Sequence, residues 1–572
     1  MGIFDNKYTE RILTFFLFFI ILIPSFFVSF WCADLDGFIV KKIGFLLISL
    51  VCTFIPLLFF KKKVYFILEG IFGVLLAPIE ISSLHLNHTT TDFMMMDTIL
   101  NTNWNEAVEL LSSVWLFALF VILIWIIYFF ITFKYIKNQD FFSKRVKKVF
   151  MISIPIILLG GCVYYFMLAR KLMTSDDTTW RDNLVDMKDM MTIKFRKIFP
   201  FDVYIATSDV VERRLDIRRS QERLKNFSFG LSPKEDEEEE ISVLVIGETA
   251  RWKNFGLNGY QRNTTPHLSQ QKNLISYSHL VTQANLTNNS LPIILSRANA
   301  IHSDIAYHEK SVCEAFAEVG YHTAWISDQD FNAYQERIIG TCDYTATIND
   351  KNHEKYVYDI DLMPPFETFL QQSSKKKFIV VHSLGSHFKY GQRYPESFKQ
   401  FQPCYENNMD YLSINKDNAE LIINAYDNTI LYTDYFLSSL IQRLEKKGGI
   451  WSVIYLSDHG ENLYDDEENL ILHGSLIVSA YEARIPFFVV YSDDYQKRYP
   501  EKVLNIEANK EKNITSEVVF HSLLDMANIE DDIIDTSLCI SRKSLMNQDS
   551  TYILNGNRKP ILFMFDRLNA MQ

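Results

Sequence analysis

Five long apolar stretches fill the first third of the chain, and they limit its possible folds more than any other feature. They cover residues 11–32, 43–60, 65–84, 114–133 and 150–168. A helix that crosses a bilayer needs about 20 predominantly apolar residues. We therefore predict a membrane domain of five transmembrane helices over residues 1–168, with an outer loop near residues 84–113.

Lysine and arginine are unevenly divided between the segments that join these helices. If the N-terminus is cytoplasmic, the inner segments hold eleven Lys and Arg residues, whereas the outer loops hold only Lys41 and Lys42. Inner segments of membrane proteins carry the excess of positive charge. Because the number of spans is odd, this orientation predicts a multi-pass membrane protein with the chain after residue 168 on the far side. In a Gram-negative bacterium this would be an inner-membrane protein with the remaining chain in the periplasm.

The charge balance changes after the apolar third. Residues 1–170 carry 14 Lys and Arg against 11 Asp and Glu, and the remaining chain carries 43 against 58. No basic block interrupts the acidic part, which argues against nucleic acid as a partner. Residues 169–240 mix aromatic and charged side chains and end in an acidic run, so we predict interfacial helices followed by an acidic linker.

The pattern of the chain becomes that of an α/β protein from residue 241 to residue 572. Short, β-branched apolar runs at 242–247, 321–327, 378–383, 451–457 and 485–491 predict buried strands, and segments such as 418–445 and 515–526 predict helices between them. This alternation predicts a mainly parallel sheet sandwiched by helices. In such sheets the ligand site lies beyond the carboxyl ends of the strands.

Carboxylates and histidines follow several of these predicted strands. Glu248 follows the first strand, His382 and His387 follow the third, and Asp458 and His459 follow the fourth. His473 lies a little farther along the chain. Zinc prefers nitrogen and oxygen ligands in tetrahedral arrangement, so this set predicts a Zn²⁺ site at one edge of the sheet.

A hydroxyl that could act with such a metal lies in the polar turn Asn285-Leu286-Thr287-Asn288-Asn289-Ser290. A metal-activated Thr287 could attack phosphorus as a covalent nucleophile. Thr287 could equally be the N-cap of the following helix. The spacing of the residues leaves both interpretations open.

Taken together, the motifs resemble those of the lipid A phosphoethanolamine transferases. This family includes the colistin-resistance enzymes and belongs to the alkaline phosphatase/sulfatase superfamily. The resemblance covers nearly the whole chain and depends on these motifs: Gly247-Glu248-Thr249-Ala250-Arg251, Gly259-Tyr260, Asn263-Thr264-Thr265-Pro266, Thr287-x-x-Ser290-x-Pro292, Gly385-Ser386-His387, Ser457-Asp458-His459-Gly460-Glu461 and His473-Gly474.

The resemblance implies a role for each matching residue. Thr287 would be the nucleophile, and the catalytic zinc would be bound by Glu248, Thr287, Asp458 and His459. A second zinc or the substrate headgroup would be held by His387, His473, His382 and Asp328. The lipid would be contacted from the outer loop by Thr98, Thr102 and Glu106.

The resemblance also implies an alkaline-phosphatase-like periplasmic domain and a two-step reaction. Thr287 would take phosphoethanolamine from phosphatidylethanolamine and pass it to lipid A or another lipopolysaccharide acceptor, which would confer polymyxin resistance. A sulfatase activity is disfavoured because the stretch around Thr287 lacks a Cys-x-Pro-x-Arg pattern. The alternatives are a glycerophosphotransferase of the lipoteichoic-acid-synthase type and an inactive lipid-binding scaffold.

Four cysteines lie in the predicted outer domain, and an oxidising compartment would allow them to form disulfides. They are Cys313, Cys342, Cys404 and Cys539. We favour a bridge between Cys313 and Cys342, with four free thiols as the alternative.

Overall fold

The computed structural model describes most of the chain as two compact units. The units are Met1–Arg213 and Arg214–Gln572. The described residues are 7–31, 39–87, 90–91, 93–101, 115–172, 195–232, 238–329, 333–348, 357–405, 415–465 and 469–571.

The regular elements described in the first unit are all helices. Its helices are α1 (Lys7–Trp31), α2 (Ile39–Phe54), α3 (Lys62–Asn87), α4 (Phe93–Asn101), α5 (Trp115–Tyr135), α6 (Lys144–Leu172) and the start of α7 (Phe201–Leu224). A helix therefore occupies each of the five apolar stretches. Pairs of aromatic rings, such as Phe18 with Phe66 and Phe66 with Tyr128, pack α1, α3 and α5 against one another.

Two helices in the described part of the chain are long and apolar enough to cross a bilayer. They span Tyr8–Phe30 and Lys62–Leu84, and two shorter apolar helices span Lys42–Leu58 and Leu119–Tyr135. Five membrane crossings therefore stay a prediction. The predicted interfacial segment and linker at residues 169–240 also stay a prediction, because residues 173–194 and 233–237 lie outside the described ones.

A seven-stranded sheet forms the centre of the second unit. The strands of this unit are β1 (Glu240–Gly247), β2 (Leu274–Ser276), β3 (Leu280–Val281), β4 (His322–Ser327), β5 (Tyr344–Thr347), β6 (Lys376–His382), β7 (Ile450–Ser457), β8 (Asn462–Leu463), β9 (Ile471–Leu472), β10 (Phe487–Tyr491), β11 (Ile514–Thr515), β12 (Ser550–Leu554) and β13 (Pro560–Met564). The sheet order is β2-β10-β7-β1-β6-β4-β5. Strands β7, β1, β6, β4 and β5 are parallel, and β10 is antiparallel to both of its neighbours.

Helices cover both faces of this sheet. They are α8 (Thr287–Ile294), α9 (Val312–Glu318), α10 (Ala333–Ile339), α11 (Met363–Leu370), α12 (Ala419–Lys447), α13 (Ala480–Ala483), α14 (Asp493–Arg498), α15 (Pro500–Asn509) and α16 (Val518–Met526). Alternate residues of β1 point to opposite sides: Leu244 packs in the core with α8, α9 and α16, and Val245 packs in the core with α11 and α12. The predicted sandwich of helices around a mainly parallel sheet is therefore confirmed, with an antiparallel strand added at one side.

The described cysteines are Cys52, Cys313, Cys342, Cys404 and Cys539, and all of them are free thiols. The bridge that we favoured is therefore not formed. Cys313 and Cys342 are nevertheless neighbours, since their thiols are hydrogen-bonded to each other.

Candidate active site

Thr287 is the first residue of α8, and its hydroxyl faces an acidic cluster at the carboxyl edge of the sheet. Thr287 Oγ1 donates a hydrogen bond to Glu248 Oε1 at 2.7 Å and lies 3.2 Å from His459 Nε2. The N-cap of α8 is the extended residue Leu286, which makes no side-chain capping bond. The interpretation of Thr287 as the helix N-cap is therefore wrong. The hydroxyl of Thr287 is available to the cluster.

The topology of the sheet explains why distant residues meet at this edge. β1 and β7 are parallel neighbours in which Gly247 is paired with Ser457. Glu248 and Asp458 are the next residues of these strands, and Asp458 N donates to Gly247 O at 3.0 Å. The carboxyl ends of adjacent parallel strands thus place both carboxylates together.

The backbone next to Glu248 is held in an unusual conformation. Thr249 has a φ of 63°, which is rare for a β-branched residue. Its amide donates to Asp458 Oδ1 at 3.0 Å, and its carbonyl accepts from Tyr426 Oη at 2.8 Å. Such strain persists only where the surroundings enforce it, and here the enforced turn fixes Glu248 relative to Asp458.

The imidazole of His459 is oriented by the backbone that follows it. His459 Nδ1 lies 2.9 Å from Gly460 O, so that this nitrogen carries the proton in the neutral ring. Nε2 then points into the site, 3.3 Å from Asp458 Oδ2 and 3.5 Å from Glu248 Oε1. A backbone acceptor behind a histidine is the usual arrangement at metal ligands, because it fixes the tautomer and the ring plane.

The side chains of the site fit a zinc ion. Donor atoms of Glu248, His459 and His473 lie within 4.8 Å of one another. Asp458 Oδ2 is buried and has no hydrogen-bond donor among the described residues. A buried carboxylate oxygen without a donor is costly unless a cation neutralises it. Oxygen and imidazole nitrogen donors are also the set that zinc binds.

The protonation of the cluster reflects its dense charge. Burial raises the pKa of Asp458 to about 7, and the charge of Glu248 adds to this effect. Burial opposes the charged form of His459, but Asp458 and Glu248 together raise its pKa to about 10. Burial would also raise the pKa of Glu248, yet its contact with His459 keeps it well below the ordinary value. The site therefore concentrates negative charge, and the raised pKa of His459 is a consequence of that charge.

Two further histidines face this cluster. The ring centroids of His459 and His473 are 4.1 Å apart, and those of His473 and His387 are 6.3 Å apart. Burial lowers the pKa of His473 to about 3 and lowers that of His387. Both rings are therefore neutral at pH 7 and present lone pairs to a metal or a headgroup. The structure brings them together with the first cluster, as the sequence predicts.

His382 and Asp328 lie behind the loop that carries His387. His382 is fully buried, and burial lowers its pKa to about 4. Asp328 accepts a hydrogen bond from Leu384 N at 2.8 Å, and burial together with the charge of Asp359, a second buried carboxyl group, raises the pKa of Asp328 well above its ordinary value. These contacts support the loop, and a role in binding a second metal or a headgroup stays a prediction for both residues.

Two polar residues that support the cluster were not assigned roles from the sequence. Gln329 Nε2 donates to Glu248 Oε2 at 3.2 Å and to Ser383 O at 2.7 Å. Glu461 Oε1 lies 3.2 Å from His473 Nδ1. Gln329 comes just after β4, so a search for polar residues that follow predicted strands could have identified it. Glu461 lies beyond the strand end, where that search gives no signal.

The predicted lipid-binding residues belong to the first unit. Thr98 lies on α4 and is exposed. Thr102 and Glu106 lie outside the described residues. Lipid binding by all three stays a prediction.

The model of the sulfatase family matches residues 241–529 of this chain. The chain therefore belongs to the sulfatase family. Within it, the chain is similar to phosphoethanolamine transferases. EptA of Escherichia coli K12 is 30% identical over 324 residues, which cover 53% of this chain and 57% of that protein. EptA of Helicobacter pylori is 28% identical over 445 residues, which cover 75% of this chain and 76% of that protein. The chain thus matches little more than half the length of the first of these two relatives.

Two solved structures of phosphoethanolamine transferases are also similar to this chain. The zinc complex of the C-terminal periplasmic domain of EptC from Escherichia coli has 26% identity and a TM-score of 0.53, and the match covers 59% of this chain and 95% of that one. The integral membrane protein EptA from Neisseria meningitidis has 20% identity and a TM-score of 0.69, and the match covers 93% of this chain and 98% of that one. The second likeness concerns the fold alone. The resemblance to phosphoethanolamine transferases is confirmed.

Proposed function

We propose that this chain is a zinc-dependent transferase that moves phosphoethanolamine from phosphatidylethanolamine to lipid A or another lipopolysaccharide acceptor. The observation that carries the proposal is the hydrogen bond from Thr287 Oγ1 to Glu248 Oε1 at 2.7 Å, beside His459 and Asp458. A hydroxyl becomes nucleophilic when a neighbouring group accepts its proton. Relatives named as phosphoethanolamine transferases support the same chemistry.

In the first step, Thr287 Oγ1 attacks the phosphorus of the donor lipid. Its proton passes to Glu248, which already accepts the hydrogen bond. Glu248 returns the proton to the diacylglycerol oxygen as the bond from that oxygen to phosphorus breaks, so that diacylglycerol leaves as an alcohol. Zinc held by Glu248, Thr287, Asp458 and His459 would supply positive charge for the phosphoryl oxygens. His387 and His473 face the same space and would orient the headgroup.

In the second step, an acceptor oxygen attacks the phosphorus of the phosphoethanolamine group on Thr287. The bond from phosphorus to Oγ1 breaks, and the proton of the acceptor passes to Oγ1, which restores the hydroxyl of Thr287. The acceptor that we propose is lipid A or another part of the lipopolysaccharide, since the Kdo(2)-lipid A phosphoethanolamine 7''-transferase of Salmonella typhimurium is 30% identical over 280 residues. The product carries an added ammonium group. Its lower negative charge would weaken the attraction of cationic peptides, so we propose a role in polymyxin resistance.

Both lipids require access to a bilayer surface. We propose that the apolar helices anchor the chain in a bacterial inner membrane as a multi-pass protein, with the α/β unit in the periplasm. Support comes from the apolar helices Tyr8–Phe30 and Lys62–Leu84 and from the fold of the integral membrane relative.

Replacement of the hydroxyl tests this proposal. We expect Thr287→Ala to reduce transfer from labelled phosphatidylethanolamine by more than about 1,000-fold, since loss of a nucleophile removes the covalent step. Thr287→Ser is the matched control, because it keeps a hydroxyl at the same atom and should retain part of the activity. Diacylglycerol release and labelled acceptor would be measured for the full chain in lipid nanodiscs.

Near-normal transfer by Thr287→Ala would contradict the assignment of the nucleophile. Release of diacylglycerol from phosphatidylglycerol, with none from phosphatidylethanolamine, would instead identify a glycerophosphotransferase.

A further inference from the structure

The last two strands, β12 and β13, form an antiparallel hairpin on the surface of the α/β unit. Its inner face is apolar: Ile553 and Phe563 are buried and pack against Val478 and Tyr481. In a two-stranded sheet with one face on a core, the other face normally carries polar side chains. This hairpin departs from that pattern.

The outer face of the hairpin is also apolar. Tyr552 and Leu562 are paired across the strands, and Met564 lies two residues beyond Leu562 on the same face. Their exposed fractions are 41%, 52% and 41%, respectively. Single exposed apolar residues are ordinary, but a contiguous set on one sheet face marks a surface that meets an apolar environment.

Basic residues lie at the turn that joins the two strands. Arg558 and Lys559 follow Asn557 in the turn, and Lys559 is exposed. The exposed carboxylates next to the hairpin, Asp549 and Asp566, lie at its opposite, open end. The whole chain has a formal net charge of −12, whereas this turn is locally positive. A positive turn of this kind suits contact with an anionic membrane surface.

The turn end of the hairpin adjoins the candidate active site. Leu554 O accepts from Asn285 N at 3.1 Å, and Asn285 is two residues before Thr287. Asn555 Nδ2 donates to Leu476 O at 3.1 Å, and Leu476 is three residues after His473. The basic turn thus lies at the rim formed by the segments that carry the proposed nucleophile and a proposed headgroup ligand.

We propose that this hairpin is a membrane-docking surface that inserts its outer face into the interfacial layer of a bilayer with anionic lipids. Apolar side chains flanked by Lys and Arg are the composition of surfaces that lie in this layer. A second protein is a poorer fit, because three half-exposed side chains fall well short of the roughly 800 Å² that each partner buries in a stable interface. The docked turn would hold lipid phosphates beside Thr287.

Photocrosslinking of the full chain in nanodiscs tests the docking. Leu562 would be replaced by p-benzoylphenylalanine, and the matched control is the same replacement at Leu504, which is 69% exposed on α15. We expect adducts of lipid mass on the Leu562 peptide at several times the yield on the Leu504 peptide. Equal yields at the two positions would overturn the proposal, and so would crosslinks to peptides of a second copy.

A charge variant tests the role of the turn. In nanodiscs that contain phosphatidylglycerol, Lys559→Glu should lower the yield of the lipid adduct at position 562 by about fivefold or more. The reason is that a single Lys or Arg near an anionic surface strengthens binding to that surface by about fivefold. The matched control is Lys497→Glu, at an exposed lysine on α14. An unchanged yield for Lys559→Glu would contradict the role of the turn.

The docking is separable from the proposed transferase activity. Crosslinking requires no turnover, so the same adducts are expected in a Thr287→Ala background. A variant that loses transfer but keeps the lipid adducts would have lost only the function of the nucleophile. A variant that keeps transfer but loses the lipid adducts would have lost only the docking of the hairpin. Thermal unfolding of each variant shows whether it is folded.

Discussion

At the scale of single residues, four side chains share one edge of the sheet. Thr287 lies against Glu248, and His459 lies between Glu248 and Asp458. Each side chain is oriented by backbone contacts, such as the bond from Thr249 N to Asp458 Oδ1. Because the groups are already in place, bound zinc would require little rearrangement.

Asp458→Asn tests the ligand set. The amide keeps the size of the side chain but removes the negative charge, so we expect zinc affinity to fall by at least about tenfold. Zinc content after dialysis against buffered zinc, measured by mass spectrometry of the metal, gives the result. Asp494→Asn, at an exposed carboxylate on α14, is the control and should retain the wild-type content. Full occupancy in Asp458→Asn would mean that the ligand set is wrong.

Glu461 acts through His473 and is therefore a positioning residue. It accepts from Tyr390 Oη at 3.1 Å and holds His473 Nδ1 at 3.2 Å. We expect Glu461→Ala to lower kcat by about 10- to 100-fold, because loss of the partner behind an active-site histidine releases the ring. KM for the donor lipid should change little.

Tyr390→Phe is the matched control for this prediction, since it removes the other hydrogen bond of Glu461 and leaves the contact with His473. Its kcat should stay close to that of the unmodified chain. If both variants lose activity equally, Glu461 supports the fold instead of the position of His473.

At the scale of elements, the buried strands and the residues after them could be predicted from the sequence. Apolar runs identify β1, β6 and β7, and parallel pairing then requires that Glu248 and Asp458 meet. The Gly259-Tyr260 and Asn263–Pro266 motifs could not be interpreted in this way. In the structure, Tyr260 Oη donates to Asp427 Oδ2 at 2.9 Å, which ties this loop to α12. Their role depends on a partner 167 residues away, which no local pattern encodes.

The hairpin β12–β13 and the supporting residue Glu461 were missed for a similar reason. The hairpin is short, and apolar residues occupy both of its faces, so the alternation that identifies a half-buried strand is absent. Glu461 lies four residues beyond the end of β7, and only the position of His473 after folding gives it a function. Contacts between segments that are distant in the sequence determine both the position of the hairpin and the role of Glu461.

Helix α16 makes the stability of the α/β unit dependent on pH. His521 is buried on this helix, and Nδ1 accepts from Asp535 N at 3.1 Å. Burial lowers its pKa to about 4, whereas an unfolded histidine has a pKa of about 6.5. The folded state therefore favours the neutral ring. This contribution is complete above pH 6.5 and is lost as the pH falls towards 4, by about 3 kcal/mol.

We expect His521→Asn to unfold at a temperature that depends less on pH between 6.5 and 4, because asparagine keeps an acceptor and does not titrate. Thermal unfolding of the full chain across this range provides the measurement. His308→Asn, at a half-exposed histidine, should keep the pH dependence of the original chain. An equal dependence in His521→Asn would show that the folded state already tolerates the charged ring.

At the scale of the whole molecule, one chain combines an apolar helical unit with an acidic α/β unit. The composition changes near residue 170 and predicts two such parts, and the structure has two compact units whose boundary in the chain lies within α7. Membrane anchorage would keep the catalytic unit near both lipid substrates, so that neither substrate has to leave the bilayer. Such confinement raises the effective concentration of the donor at the site.

The central claim is that Thr287 carries phosphoethanolamine between the two lipids. Peptide mass spectrometry of the zinc-loaded full chain, incubated with labelled phosphatidylethanolamine and without acceptor, tests it most directly. We predict a labelled phosphoethanolamine group on the peptide that contains Thr287, together with released diacylglycerol, and its disappearance when acceptor is added. An unmodified Thr287 peptide in protein that binds zinc and completes the transfer would contradict the account.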